Sequence, residues 1–333
     1  GDWLLKQNIN DIHLFPLYGN LSLTEQQQAI APLAGNRAHH RKVVLATNIA
    51  ETSLTIEGID VVVDSGLARE PYFNPATGMT GLHTVKISRA SSTQRAGRAG
   101  RLRAGYCYRL WSSEQQKQRA AFSTPEILQA DLAPLAIQLL QWGVDDPAEL
   151  VWLDPPPRAA WQQALDLLQS LGAIEYRNNS PVLNVHGETM SRLPVHPRLA
   201  HMLVSGAQTA NFITAAQLAS LLSERDPFGQ ETPDINHRLD LLKSNIPCPR
   251  QHRGWLQRCQ QLVDQFTDLL KRLNVPRQLN DRLDQTQATG YLLACAYPDR
   301  LARKRHGGGF QLANGRSAKL EGRSQLANNR WLA

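Results

Sequence analysis

Two short apolar runs constrain this sequence most. Arg41 to Thr47 contains Val43-Val44-Leu45-Ala46, and Ile59 to Val63 forms a second run. Stretches this brief and this apolar suit strands buried on both faces of a parallel sheet. Upstream, Ser22-Leu23-Thr24-Glu25 reads as a capping box that opens a helix reaching about Leu33. Short strands alternating with helical patterns restrict the first third to an α/β arrangement, a parallel sheet covered by helices. Leu67 to Phe73 and Leu82 to Ile87 flank the turn-forming Asn74-Pro75-Ala76-Thr77-Gly78. They read as a hairpin inserted into that domain, with Tyr106 to Trp111 as its last strand.

From Thr124 onward the pattern becomes helical. Pro125-Glu126 suits a helix start, and Ile127, Leu128, Leu132, Leu135, Leu139 and Leu140 recur at helical spacing up to Gly143. Asp154-Pro155-Pro156-Pro157 breaks the chain ahead of an amphipathic helix carrying Trp161, Leu165, Leu168 and Leu171, closed by Gly172. Ala173 to Val185 has room for two small strands, which suggests a winged-helix-like unit. Helical blocks follow over His201 to Leu222 and His237 to Tyr297. Phe310 to Gly315 reads as strand and turn after His306-Gly307-Gly308-Gly309.

Charge distribution narrows the partner. The net charge is +7, yet no acidic residue lies between Glu70 and Glu114, where Lys86, Arg89, Arg95, Arg98, Arg101, Arg103 and Arg109 sit. A second acid-free stretch runs from Asp299 to Glu321 with Arg300, Arg303, Lys304, Arg305, Arg316 and Lys319. Such stretches favour a polyanion. Hydrophobic residues make up 42% and charged residues 20%, a globular balance, and no apolar run reaches bilayer-spanning length. The four cysteines form no C-x-x-C pair and no zinc spacing, which suits reduced thiols in a cytoplasmic protein.

Gln94-Arg95-Ala96-Gly97-Arg98-Ala99-Gly100-Arg101 carries the most chemistry. Three arginines recur at a spacing of three with small residues between them. Glycine permits close approach, and the guanidinium fork suits phosphate oxygens. If a helix starts here, Arg98 and Arg101 lie one turn apart on one face and can reach a single triphosphate. That is the geometry of arginine fingers. A solvated basic loop has the same composition, but the segment sits inside an ordered α/β pattern.

Gln94 to Arg101 also resembles motif VI of superfamily 2 helicases, Q-R-x-G-R-x-G-R. Ala46-Thr47-Asn48-Ile49-Ala50-Glu51-Thr52-Ser53-Leu54-Thr55-Ile56 resembles motif V of the DEAH-box RNA helicases, and Leu17-Tyr18-Gly19-Asn20-Leu21-Ser22 looks like the motif IV region. Thr124 to Leu128, Asp154-Pro155-Pro156 and Leu193-Pro194-Val195-His196-Pro197 are similar to the later part of that family. Ala296 to Arg300 looks most like its bacterial HrpB type. The resemblance implies four parts. A partial second RecA-like domain with the inserted hairpin occupies 1–111 and a winged-helix-like domain 112–185. A helical bundle covers 186–298, and the start of a β-rich region covers 299–333.

The resemblance implies an ATP-dependent RNA helicase. Gln94, Arg98 and Arg101 would face the ATP phosphates and act in catalysis. Thr55 and Glu57 match nucleotide-side positions, although relatives often carry Asp where Glu57 stands. Thr47, Asn48 and Arg95 would lie at the backbone of single-stranded RNA, and the hairpin would sit against nucleic acid. There is no G-x-x-x-x-G-K-[ST] loop and no D-E-x-H. ATP and its Mg²⁺ would therefore be held mainly by a first RecA-like domain outside this chain, which on this reading begins inside the first helix of the second. The alternatives are a non-catalytic RNA-binding or adaptor protein, or a DNA translocase.

Overall fold

The structure, a computed structural model, describes residues 11–19, 21–33, 40–52, 56–75, 77–101, 104–229, 233–276, 285–306, 308–320 and 325–333. They fall into two compact units, Gly1–Ala130 and Asp131–Ala333.

In the first unit, β1 (Ile12–Leu17) pairs in parallel with β2 (Arg41–Ala46), from Ile12 opposite Arg41 to Leu17 opposite Ala46. The first strand carries Pro16, which cannot donate to the ladder. Between the two runs α1 (Leu23–Ile30), which stops three residues short of the expected Leu33. Ser22 and Glu25 form the reciprocal capping box, and Ala31 turns extended ahead of Pro32. A short helix, α2 (Ile49–Thr52), follows β2. The second parallel pair joins β3 (Val61–Asp64) to β6 (Tyr106–Arg109), with Val61 opposite Tyr106. Thus the described strands form two parallel pairs, in a mixed α/β unit.

Between β3 and β6 the chain makes the expected hairpin, β4 (Leu67–Asn74) against β5 (Met79–Lys86). It then forms α3 (Arg89–Ala96). After β6 comes α4 (Ser113–Gln118), closed at its start by a second capping box, Ser112 with Gln115.

The helix expected from Pro125 to Gly143 is divided. Glu126–Leu128 makes only a 3₁₀ turn, and α5 runs over Ala133–Gln141. The break has a local cause: the Asp131 carboxylate accepts from the Ala133 N–H at 2.9 Å, and Pro134 stands in the first helical turn. The amphipathic helix appears as α6 (Arg158–Ser170), followed by Gly172 at φ +64°. A hairpin of β7 (Ile174–Arg177) and β8 (Ser180–Leu183) turns through Asn178 and Asn179, both left-handed. Then come α7 (Val185–Ser191), α8 (Pro197–Gln208), α9 (Phe212–Ser223), α10 (Ile235–Leu242), α11 (Arg253–Leu273) and α12 (Gln285–Ala296). The block expected over His201 to Leu222 is therefore two helices, parted at Ala210 with φ +57°. The crossing of α8 and α9 is close: a Cβ on Gly206 would lie 2.4 Å from that of Ala215.

The core of this unit is aliphatic, with Leu139, Leu168, Met202, Leu203, Leu218, Leu239 and Leu292 fully buried. A four-stranded antiparallel sheet closes the chain. It is formed by β9 (Ala302–Lys304), β10 (Phe310–Leu312), β11 (Ser317–Ala318) and β12 (Trp331–Leu332), in the order β11-β10-β9-β12. No helix among the described residues is long and apolar enough to cross a membrane.

Candidate functional site

In open parallel α/β arrangements, ligands collect at the carboxyl ends of the strands. At that end of β2 the chain delivers Thr47 and Asn48, both exposed. The Thr47 N–H donates to the Leu17 carbonyl at the end of β1, 3.1 Å away. The Thr47 and Asn48 carbonyls accept from the Ala50 and Glu51 N–H groups at 3.3 and 2.9 Å. The backbone is thereby fixed, and two short polar side chains face water.

The arginine-rich motif straddles the end of α3. Ser88 caps that helix, its hydroxyl accepting from the Ser91 N–H at 3.1 Å. Gln94 and Arg95 occupy its last turn, but the helix ends at Ala96. Arg98 and Arg101 lie beyond it, in turns closed by Arg98 N–H to Arg95 O (3.1 Å) and Ala99 N–H to Ala96 O (3.2 Å). The expectation that a helix starts at the motif and aligns the two arginines on one face is thus corrected. The helix starts earlier and stops before Arg98. Gly97 and Gly100 weaken continuation, and tight packing fixes the loop: a Cβ on Gly105 would fall 2.2 Å from the Ala99 carbonyl oxygen.

Arg95 is the clamp of this arrangement. Its Nε donates to Glu51 Oε2 at 2.9 Å, and one terminal nitrogen donates to Asp64 Oδ1 and the Leu67 carbonyl, each at 3.1 Å. Asp64, at the end of β3, has a side chain only 1% exposed and also accepts from the Gly66 N–H at 2.9 Å. Arg95 was expected at RNA; here its donors hold motif V, through Glu51, to the strand end at Asp64. Arg98 reaches the same helix from the other side of the motif, donating to the Glu51 main-chain carbonyl. Burial, and then the positive charge of Arg101, press the Arg98 guanidinium below its ordinary range, with Glu51 opposing. Arg98 is partly buried and Arg101 exposed.

Of the other expected residues, Gln94 is exposed on α3, and Glu57 is exposed in a turn beside Gly58 at φ +74°. Thr55 and Arg103 lie outside the described residues. Three residues that sequence reasoning gave no role prove central. Glu51 and Asp64 stand at the ends of recognisable runs, but nothing in the sequence pairs them with Arg95 across 44 and 31 positions. Arg119 donates to the Gly66 and Ile87 carbonyls at 3.0 Å each and stacks over Trp111 at 4.2 Å, pinning the base of the hairpin. Gly66 is required there: its φ is +72°, and a Cβ would meet Arg119 at 2.3 Å and Trp111 at 2.7 Å.

Among the described residues no group of three or more His, Cys, Asp or Glu could hold a metal ion. The carboxylates of Glu51 and Asp64 are both engaged by Arg95.

Residues 2–103 match the helicase conserved C-terminal domain. The chain is 45% identical to the ATP-dependent RNA helicase HrpB of Escherichia coli over 97% of its length, spanning 36% of that protein. It is 36% identical to the E. coli ATP-dependent RNA helicase HrpA over 71% of its length, spanning 18% of that relative. Two solved structures of E. coli HrpB superpose with TM-scores of 0.77 and 0.80 at 44% and 43% identity. They match 99% and 100% of this chain, which spans 37% and 39% of theirs.

Proposed function

We infer that this chain, which carries a helicase conserved C-terminal domain at residues 2–103 and is similar throughout its length to the HrpB helicases, supplies the arginine-finger half of an ATP-dependent RNA helicase motor. One observation carries this reading. Arg98 donates to the Glu51 main-chain carbonyl and Arg95 to the Glu51 carboxylate, which ties the arginine motif to the segment that presents Thr47 and Asn48. One element thus links a candidate phosphate group to a candidate RNA grip.

In the proposed cycle, ATP and Mg²⁺ are bound mainly outside this chain, on a first RecA-like domain. Closure would bring Arg98 and Arg101 onto the γ-phosphoryl oxygens, where a fixed guanidinium stabilises charge developing during transfer. Gln94, and Thr55 and Glu57 on motif V, are assigned to the nucleotide side. Arg95 is assigned to positioning: two carboxylates hold it, so it sets where Arg98 stands. Thr47 and Asn48 are assigned to sugar-phosphate contacts, which position a strand without reading bases. Opening after hydrolysis would shift that grip along the RNA. The finer architecture belongs to the same proposal, with a winged-helix-like unit to about residue 185, a helical bundle to 298 and a β-rich start beyond. So does a cytoplasmic setting.

The test is RNA-stimulated ATP hydrolysis by the intact protein with Arg98 or Arg101 replaced by Ala. The reading requires kcat to fall far more than nucleotide affinity. Arg103→Ala, outside the repeat, should be tolerated. Equal small losses at all three positions would reduce the motif to a general basic patch.

A further inference from the structure

A buried cation sits under the hairpin. Arg119, directly after α4, is only 9% exposed, and among the described residues no carboxylate pairs with it. One nitrogen of its guanidinium donates instead to the carbonyls of Gly66, which enters β4, and Ile87, which leaves β5. Both legs of the hairpin are therefore held by one side chain. The next two residues reach elsewhere. The Ala120 and Ala121 carbonyls accept from the Arg89 and Ala90 N–H groups, at 2.8 and 3.1 Å, in the first turn of α3. Gly66 extends the path, because its N–H donates to the Asp64 carboxylate that Arg95 holds. Arg119 and its neighbours thus bond the hairpin on one side and the helix of the arginine motif on the other.

This network keeps bonds in reserve. Arg119 Nε and Asp64 Oδ2 are both buried without a hydrogen-bond partner. A brace built for stability alone would satisfy such groups, because each unmet one costs free energy. A donor and an acceptor left open on either side of Gly66 suit an arrangement that exchanges partners when the hairpin shifts. The hairpin itself is suited to a ligand. Most of its side chains are exposed, Tyr72 and His83 meet edge to face at 5.2 Å, and it carries no acid after Glu70. Exposed rings without nearby negative charge form a surface on which unpaired bases stack. We propose that Arg119 is a positioning residue that relays the seating of RNA on the hairpin to the arginine motif, so that RNA stimulates hydrolysis. This rests on the functional reading above, which supplies the finger role of Arg98.

The experiment uses the intact protein in three altered forms: Arg119→Met, a hairpin shortened by replacing residues 72–81 with Asn-Gly, and the two combined. ATP hydrolysis is measured with and without oligouridylate. Loss of stability lowers both rates together, so the ratio of stimulated to basal rate is unmoved by a merely structural role. That ratio should fall about tenfold in Arg119→Met, within the span that coupled groups show. Shortening the hairpin should lower it as well. Both changes break one path, so the combined form should be no worse than the shortened hairpin alone. Losses that multiply would place the action of Arg119 outside the hairpin and overturn the proposal. So would an unchanged ratio in either single form. Arg119→Gln, which can still donate to one carbonyl, takes the place of the Met variant if that one does not fold, with a smaller fall expected. Arg98→Ala, measured alongside, separates the two claims. Hydrolysis undiminished without Arg98 removes the finger role and the relay with it. Arg98-dependent hydrolysis with an unchanged ratio in Arg119→Met removes only the relay.

Discussion

The two units use arginine in opposite settings. In the helical unit, Arg198 is buried and donates to Asp299 at 2.5 Å and to the Ala296 carbonyl, within an aliphatic core. In the α/β unit, Arg95 and Arg119 stand where apolar packing is thin. Among the largest fully buried side chains of the described residues, only Leu17 belongs to that unit. The comparison suggests a division of labour. The helical unit is held by burial, and charge is an addition. The α/β unit is held around its motif by charge and by hydrogen bonds to main-chain carbonyls. On the proposed reading, an element that presents guanidinium groups to a triphosphate gains little from apolar surface at that edge.

The largest effect is expected at Arg98. In the intact protein, Arg98→Ala should lower kcat by about 10³ to 10⁵, the worth of an arginine finger, while nucleotide Kd changes little. Arg98→Lys should rescue poorly, because a point charge lacks the planar fork. Rate and Kd are measured together. A loss confined to Kd would make Arg98 a binding residue and erase the contrast with the structural arginines.

Next come two substitutions that set charge against packing. Arg95→Ala leaves the buried Asp64 carboxylate without its cation, and should cost the first unit about 3 kcal/mol. Leu203→Ala opens a cavity in the core of the second and should cost that unit about 2–5 kcal/mol. Peptide-resolved hydrogen exchange reads each unit separately, which a single unfolding midpoint cannot do. If Arg95→Ala costs under about 1 kcal/mol, the clamp is incidental and the first unit is held by something else.

A third effect belongs to the helical unit. His186 Nε2 and His201 Nδ1 lie 2.7 Å apart. Burial, and then the charge of His186, push His201 down to about 4, and burial lowers His186 as well. The folded unit therefore holds these rings neutral while the unfolded chain still binds protons near the ordinary value of 6.5. Their contribution is intact above that value and is lost as pH falls from 6.5 towards 4. For His201 the loss has an upper limit of roughly 3 kcal/mol. His201→Gln should flatten the stability profile in that window. An unchanged slope would mean the pair is solvated enough to escape the shift.

Much of this was legible in sequence where a local rule acts alone. The capping box at Ser22 and Glu25, the Asn74–Gly78 turn and the Leu-rich stripe of α6 need only their neighbours. Pro16 disguises strand β1, because proline within a run counts against a strand and is accommodated here at the edge of a two-stranded pair. The arginine motif was recognisable, yet its local form was not. Whether a helix begins or ends at Gln94 depends on Ser88 six residues earlier and on the loop packing against Gly105. The clamp was least legible. Arg95 looks the same in sequence as Arg98, and only the fold brings Glu51 and Asp64 to one and leaves the other donating to a carbonyl.

The smallest effect tests whether the motif's helix depends on its cap. Ser88 is buried, and its hydroxyl accepts from the Ser91 N–H, satisfying one of the orphan donors at the start of α3. Ser88→Ala should cost the first unit about 1 kcal/mol. Ser88→Gly should cost only a few tenths, because glycine tolerates the cap conformation and lets solvent reach the free N–H. Asn184, which caps α7 by accepting from the Gly187 N–H at 2.9 Å, is the counterpart in the helical unit. There Ala should again cost about 1 kcal/mol. The difference lies in what else moves. Asn184 supports a helix with no assigned role in catalysis, so its loss should leave kcat of the intact protein alone. Ser88 supports the helix whose last turn carries Gln94 and Arg95, so fraying from its cap should lower kcat by a factor of a few. Hydrogen exchange across 89–96 and kcat, measured on both Ala variants, decide the point. An unchanged kcat in a Ser88 variant whose helix has loosened would mean that the Glu51–Arg95–Asp64 clamp alone holds the arginines in place, and slower hydrolysis in the Asn184 variant would mean that kcat responds to the helical unit as well.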